Sequence, residues 1–192
     1  RAINAVRFGA VLNPTALLSF IQPDAQKIDY PILDWNLNLN SSQKIAVKAS
    51  LSGNDLTLIQ GPPGTGKTQV IAETCLQLYK SNPNIRILVC SETHIAVNNV
   101  LDRVGNLNDE MRIVRIQDKE ESSSIINYSS ESILENYSAW LDENVTNETI
   151  SQILQESFIN SKDKRGTEKA LFLSSNLVGM TCNRVGAYNL IN

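Results

Sequence analysis

Histidine is almost absent from this sequence and cysteine is scarce. A single histidine, His94, stands among 192 residues, so no metal centre built on paired imidazoles can be assembled. The three cysteines, Cys75, Cys90 and Cys182, show no metal-ligand spacing, and their odd number gives no disulfide framework. Each falls in an apolar helix or strand pattern, where a free cysteine acts as a small hydrophobe, and a reduced, cytoplasmic compartment is expected. There is no run of about 18 apolar residues and no signal peptide, so no membrane partner is expected. A strong excess of charge is lacking too. The net charge of -3 excludes a strongly basic, sequence-wide nucleic-acid binder.

What is present is an ordinary globular balance, 42% hydrophobic and 19% charged, which excludes wholesale disorder. The charge is uneven. Asp118 to Lys169 holds 11 acidic and 5 basic residues, a net of -6; the remainder holds 9 and 12, a net of +3. This contrast marks two regions with different neighbours. The chain opens on Arg1 and closes on Asn192 soon after a strand pattern, so it reads as a piece of a longer protein.

Along the chain, Arg1 to Phe8 reads as a helix end and Asn13-Pro14 as a helix start. Asp24 to Asn40 reads as a connector. Asn40-Ser41-Ser42 caps a helix running to about Leu51, and Ser52 to Asp55 is a turn. Leu56 to Gln60 is a short apolar strand. Lys67 to Lys80 has helical spacing with a buried face. Strand Ile85 to Cys90, helix Ile95 to Val104 and strand Arg112 to Ile116 follow. The alternation predicts an α/β fold, a parallel sheet covered on both faces. It then breaks. Gln117 to Ser132 reads as a loop, Ile133 to Leu141 and Thr149 to Ile159 as helices, and Lys162 to Gly166 as a turn. Leu177 to Thr181 resumes the strand pattern. The stretch from about 118 to 174 is therefore a helical insertion.

Between the first strand and its helix lies Gly61-Pro62-Pro63-Gly64-Thr65-Gly66-Lys67-Thr68, a complete G-x-x-x-x-G-K-[ST] phosphate-binding loop. Gly61, Gly64 and Gly66 let the backbone curl with its N–H groups inward. Those amides and the positive end of the next helix suit anionic phosphates. Lys67 is a point charge for the β- and γ-phosphates, and the Thr68 hydroxyl is a hard oxygen for Mg²⁺. The candidate ATP site comprises Gly61, Pro62, Pro63, Gly64, Thr65, Gly66, Lys67, Thr68 and Gln69. Lys67 and Thr68 carry the chemistry, and Thr68 is the metal ligand.

The flanks refine this reading. Leu39-Asn40-Ser41-Ser42-Gln43-Lys44-Ile45-Ala46-Val47 resembles the Q motif of superfamily 1B helicases, the group of the nonsense-mediated-decay helicase. The resemblance assigns adenine recognition to Gln43, whose amide can donate and accept at once. Leu88 to Val100 resembles that family's motif Ia, and Val178 to Ala187 its motif Ic. In the family both loops contact the backbone of single-stranded DNA or RNA. The resemblance thus implies that Thr93, His94, Asn98, Thr181 and Arg184 face nucleic acid. Glu92, His94 and Asn98 replace the usual Pro, Asn and Asp, and Asn183-Arg184 adds two residues to motif Ic. With no base, acid or metal partner, His94 reads as a loop residue rather than a catalyst. Arg1 to Phe8 resembles the end of the family's stalk helix. The division implied is a stalk-like helix and connector over 1–40 and a RecA-like P-loop NTPase domain over 41–192.

Hydrolysis needs an Asp to support Mg²⁺, an acidic partner to orient water and arginines to stabilise the transition state. The family places an Asp-Glu motif on the strand after motif Ic, beyond Asn192. The Asp109-Glu110 and Asp142-Glu143 pairs here follow no apolar strand. The resemblance also implies a second RecA-like domain in the same longer chain, and movement 5′ to 3′. The isolated chain is expected to bind nucleotide weakly and hydrolyse it poorly. Two alternatives remain at this point. One is an AAA+ protein-remodelling ATPase, which shares the loop; the other is a nucleotide-gated binding module without turnover.

Overall fold

The computed structural model describes residues 30–52, 56–117, 127–156 and 164–187. The expected helices before residue 30 and most of the 52–55 turn lie outside them, as does most of the 117–132 loop.

Helix α1, Ser41–Leu51, starts with a capping box: Asn40 accepts from the Gln43 amide, and the Gln43 side chain accepts from the Asn40 amide. Helix α2 is Lys67–Ser81, strand β1 Ile87–Ser91, helix α3 His94–Gly105 and strand β2 Ile113–Arg115. Helices α4, Ser130–Asn144, α5, Glu148–Leu154, and α6, Lys164–Ser174, precede strand β3, Leu177–Thr181, and the short helix α7, Cys182–Ala187. Among the described residues the three strands are parallel in the order β1-β3-β2, so the last of these three in sequence is central.

Helix α3 covers one face of the sheet and α2 packs against α3. Val97, Val100, Leu101 and Val104 of α3 meet Ala72, Cys75, Leu76 and Tyr79 of α2 over Ile113 and Leu177. A Cβ on Gly179 would come within 2.7 Å of Val97 and 2.6 Å of Leu101, so glycine permits this close approach. On the other face Val114, Ile116, Val178 and Met180 are covered by Ile133 of α4, Leu171 and Phe172 of α6, and Val185 of α7.

Three expectations change. Leu56 to Gln60 forms no strand: it is extended without a ladder partner among the described residues, and Leu58 is 86% exposed. Thr57 instead donates to the Ala49 carbonyl of α1. An apolar run asks to be covered, but only a neighbouring backbone makes it a strand. Residues read as a turn after Lys162 instead open α6, because the apolar side chains that follow pack on the sheet. Arg86 and Arg112 donate to the Phe172 and Ser174 carbonyls at its end, where cations favour the helix dipole. Finally, β1 is not covered on both faces, since Leu88 and Cys90 are exposed. Cys182 is exposed as well, so only Cys75 behaves as a core hydrophobe. Burial pushes its thiol up to about 12.

Candidate functional site

The phosphate-binding loop closes on itself. Gly64 and Gly66 hold φ of 79° and 80°, the left-handed region open to glycine. Thr65 donates its hydroxyl to the Pro62 carbonyl at 2.8 Å. The Lys67 ammonium donates to the carbonyls of Gly61, 2.7 Å, and Pro62, 2.9 Å, across the loop. Gly66 precedes α2 with no side-chain cap, so the first amides of α2 stay available to an anion.

Gln43 joins α1 to this loop. Its amide nitrogen donates to the Thr65 carbonyl at 3.1 Å and to Gln69 Oε1 at 3.2 Å, while its oxygen accepts from the Asn40 amide. A Cβ on Gly66 would lie 2.4 Å from the Gln43 amide nitrogen, so any side chain there would displace it. Gln43, Gly64, Lys67, Thr68 and Gln69 line one open cleft of about 520 Å³. The same residue borders a more apolar cleft of about 310 Å³ beside Pro62 and Val70. The cradle a Cβ would fill, the uncapped helix and the ammonium together fit a nucleoside triphosphate. The Thr68 hydroxyl beside them fits a divalent metal.

Sequence reasoning missed Arg103. It sits in the last turn of α3, where a cation reads simply as a favourable helix-end charge, yet it lines the phosphate cleft together with the loop residues. It missed Glu73 and Gln77 as well, both fully buried on α2. Glu73 accepts from the Asn36 and Leu37 amides, and Gln77 from the Leu33 amide, so together they strap the connector to the nucleotide helix.

The remaining predicted residues cluster at the carboxyl edge of the sheet. Thr93 caps α3, accepting from the Ala96 amide at 3.4 Å, and is exposed. His94 and Asn98 meet the Arg115 guanidinium, through Nδ1 at 3.1 Å and Oδ1 at 2.9 Å. Thr181 is buried, and its hydroxyl accepts from the Arg184 amide. Arg184 forms an ion pair with Glu168 of α6 at 3.2 Å. Asp142-Glu143 lies on helix α4, and Asp109-Glu110 in a bend.

The sequence pattern described as AAA domain matches residues 38–190, and the chain belongs to that family. Within it the chain is a RecA-like domain of the superfamily 1 helicase type. It is 33% identical over 123 residues to an uncharacterized ATP-dependent helicase of Methanocaldococcus jannaschii, covering 64% of this chain and 18% of that protein. It is 46% identical over 81 residues to the DNA polymerase alpha-associated DNA helicase A of Saccharomyces cerevisiae, covering 42% and 12%. It is 42% identical over 85 residues to the human RNA helicase Mov10l1, covering 43% and 7%. The chain thus spans less than a fifth of the length of each relative, and the three carry helicase names rather than names of protein-remodelling ATPases.

Proposed function

We propose that this chain is the nucleotide-binding half of a helicase motor that couples ATP hydrolysis to movement along, or unwinding of, DNA or RNA. The observation that carries this is the closed phosphate loop with Gln43 pinned against it. Lys67 and the α2 amides hold the phosphates, Thr68 holds Mg²⁺, and Gln43 reads adenine. Mg²⁺, when bound, neutralises charge on the phosphate oxygens. Arg103 adds a second positive charge to the cleft.

Thr93, His94, Asn98 and the α7 region with Thr181 and Arg184 form the edge that meets single-stranded nucleic acid. Thr181 contributes by shaping the turn into α7, and Arg184 by exchanging Glu168 for a phosphate. Residues 1–40 act as stalk-like helix and connector, residues 41–192 as the first RecA-like domain, and 118–174 as its insertion. A second RecA-like domain completes the site, and the cytoplasm is the proposed compartment.

The deciding assay is ATP hydrolysis by the intact protein alone, with single-stranded DNA and with single-stranded RNA. Lys67→Ala should lower turnover by about a hundredfold or more, because it removes charge at the transferred phosphate. Arg103→Ala should weaken nucleotide binding about tenfold, read by titration with a fluorescent ADP. Stimulation by one polymer would name the track; turnover indifferent to both would overturn the motor reading.

A further inference from the structure

We propose that Arg115 is a positioning residue for nucleic-acid binding, which sets the orientation of His94 and Asn98 from beneath. The inference rests on the reading of that edge as the nucleic-acid face. Arg115 ends β2 and is 1% exposed. Burying a guanidinium costs several kcal/mol unless its donors find acceptors in good geometry. Its backbone is fixed on both sides: it pairs with Gly179 of the central strand, and its amide donates to the Tyr128 carbonyl at 2.7 Å.

From that anchor the planar fork reaches acceptors on two side chains and one carbonyl. Nε donates to Asn98 Oδ1 at 2.9 Å, Nη2 to His94 Nδ1 at 3.1 Å, and Nη1 to the Ile116 carbonyl. His94 and Asn98 lie four residues apart in α3, hence on one face. One rigid group therefore grips two neighbouring side chains at the start of the helix that Thr93 caps.

The grip dictates chemistry as well as position. A guanidinium donates and never accepts. His94 Nδ1 must therefore be the acceptor, which puts the ring proton on Nε2. Asn98 must present its oxygen to Arg115 and turn its NH₂ away. Both side chains thus direct donors away from the arginine. Phosphodiester oxygens only accept, so this polarity suits a nucleic-acid backbone. Lysine would preserve the charge, but a single ammonium lacks the flat fork that holds both partners at once.

The test measures ATP hydrolysis by the intact protein against the concentration of an oligo-dT or oligo-U strand at fixed salt. Arg115→Lys should raise the half-stimulating strand concentration about tenfold and leave the KM for ATP within about twofold. Asn98→Ala should do the same alone and add little on top of Arg115→Lys, because the two act as one unit. His94→Asn retains an acceptor for Arg115 and should stay within about threefold of the native value, whereas His94→Phe should lose about tenfold. These two variants decide the matter if Arg115→Lys does not fold. Unchanged strand dependence in Arg115→Lys and His94→Phe, or fully additive effects with Asn98→Ala, would overturn the inference alone. A native protein that no strand stimulates would overturn the nucleic-acid reading and the inference with it.

Discussion

Helices α2 and α4 are both 15 residues long, and they are held in opposite ways. Helix α4 has the local signals of stability. Ser129 caps it by accepting from the Ser132 amide, and Glu131 sits in its first turn, yet its sole buried residue is Leu141. Helix α2 starts at Gly66 without a side-chain cap and has no acid in its first turn, yet it buries seven residues, Glu73 and Gln77 among them. Packing thus replaces the missing cap, and the uncapped end is the end the phosphates use. An anion site is a helix start deliberately left unsatisfied, and the cost is met by the core.

This contrast can be broken at several points. The largest effect should come from Gly66→Ala. The new Cβ meets Gln43 and holds a left-handed φ, so nucleotide affinity should fall about a hundredfold by fluorescent-ADP titration, with strain of about 1–2 kcal/mol in stability. Affinity close to native would show that Gln43 is not pinned to the loop. Next comes Glu73→Ala, which leaves the Asn36 and Leu37 amides without their carboxylate. Urea unfolding should show a loss of about 3 kcal/mol. Glu135→Ala on the exposed face of α4 is its control and should stay within about 0.5 kcal/mol. Ser129→Ala should cost about 1 kcal/mol, because α4 relies on its cap where α2 does not. The smallest effect is expected from Trp140→Ser. The ring is 53% exposed and stacked on Tyr137, so the melting temperature should barely move.

The phosphate loop was legible because each of its positions answers to a local rule of backbone or charge. Helix α1 was legible through its cap, Asn40. What escaped depends on partners distant in the chain. Glu73 and Gln77 look like ordinary surface residues of an amphipathic helix until the connector, 36–44 residues earlier, folds onto them. Leu56 to Gln60 has the composition of a strand, but composition cannot supply a neighbour. Helix α6 was hidden by the polar run and Gly166 at its start, and only the apolar side chains docked on β3 reveal it. Arg115 read as one more residue of a strand, because nothing local says that its side chain turns toward α3.

The central place of β3 has a consequence for how the sheet assembles. Among the described residues, strands β1 and β2 do not pair with each other; each pairs with β3, the last of the three in sequence, and Arg115 of β2 also bridges to Ser129. As the chain is made, the ladder that joins β1 to β2 waits until Leu177 to Thr181 follows. The sheet then closes in one step across the whole stretch between Arg115 and Leu177. Closing a flexible loop grows costlier only with the logarithm of its length, about 0.6 kcal/mol per doubling. Residues could therefore be gained or lost between β2 and β3 with little penalty to the finished sheet. Their main effect would be on the time the unpaired strands wait for their partner.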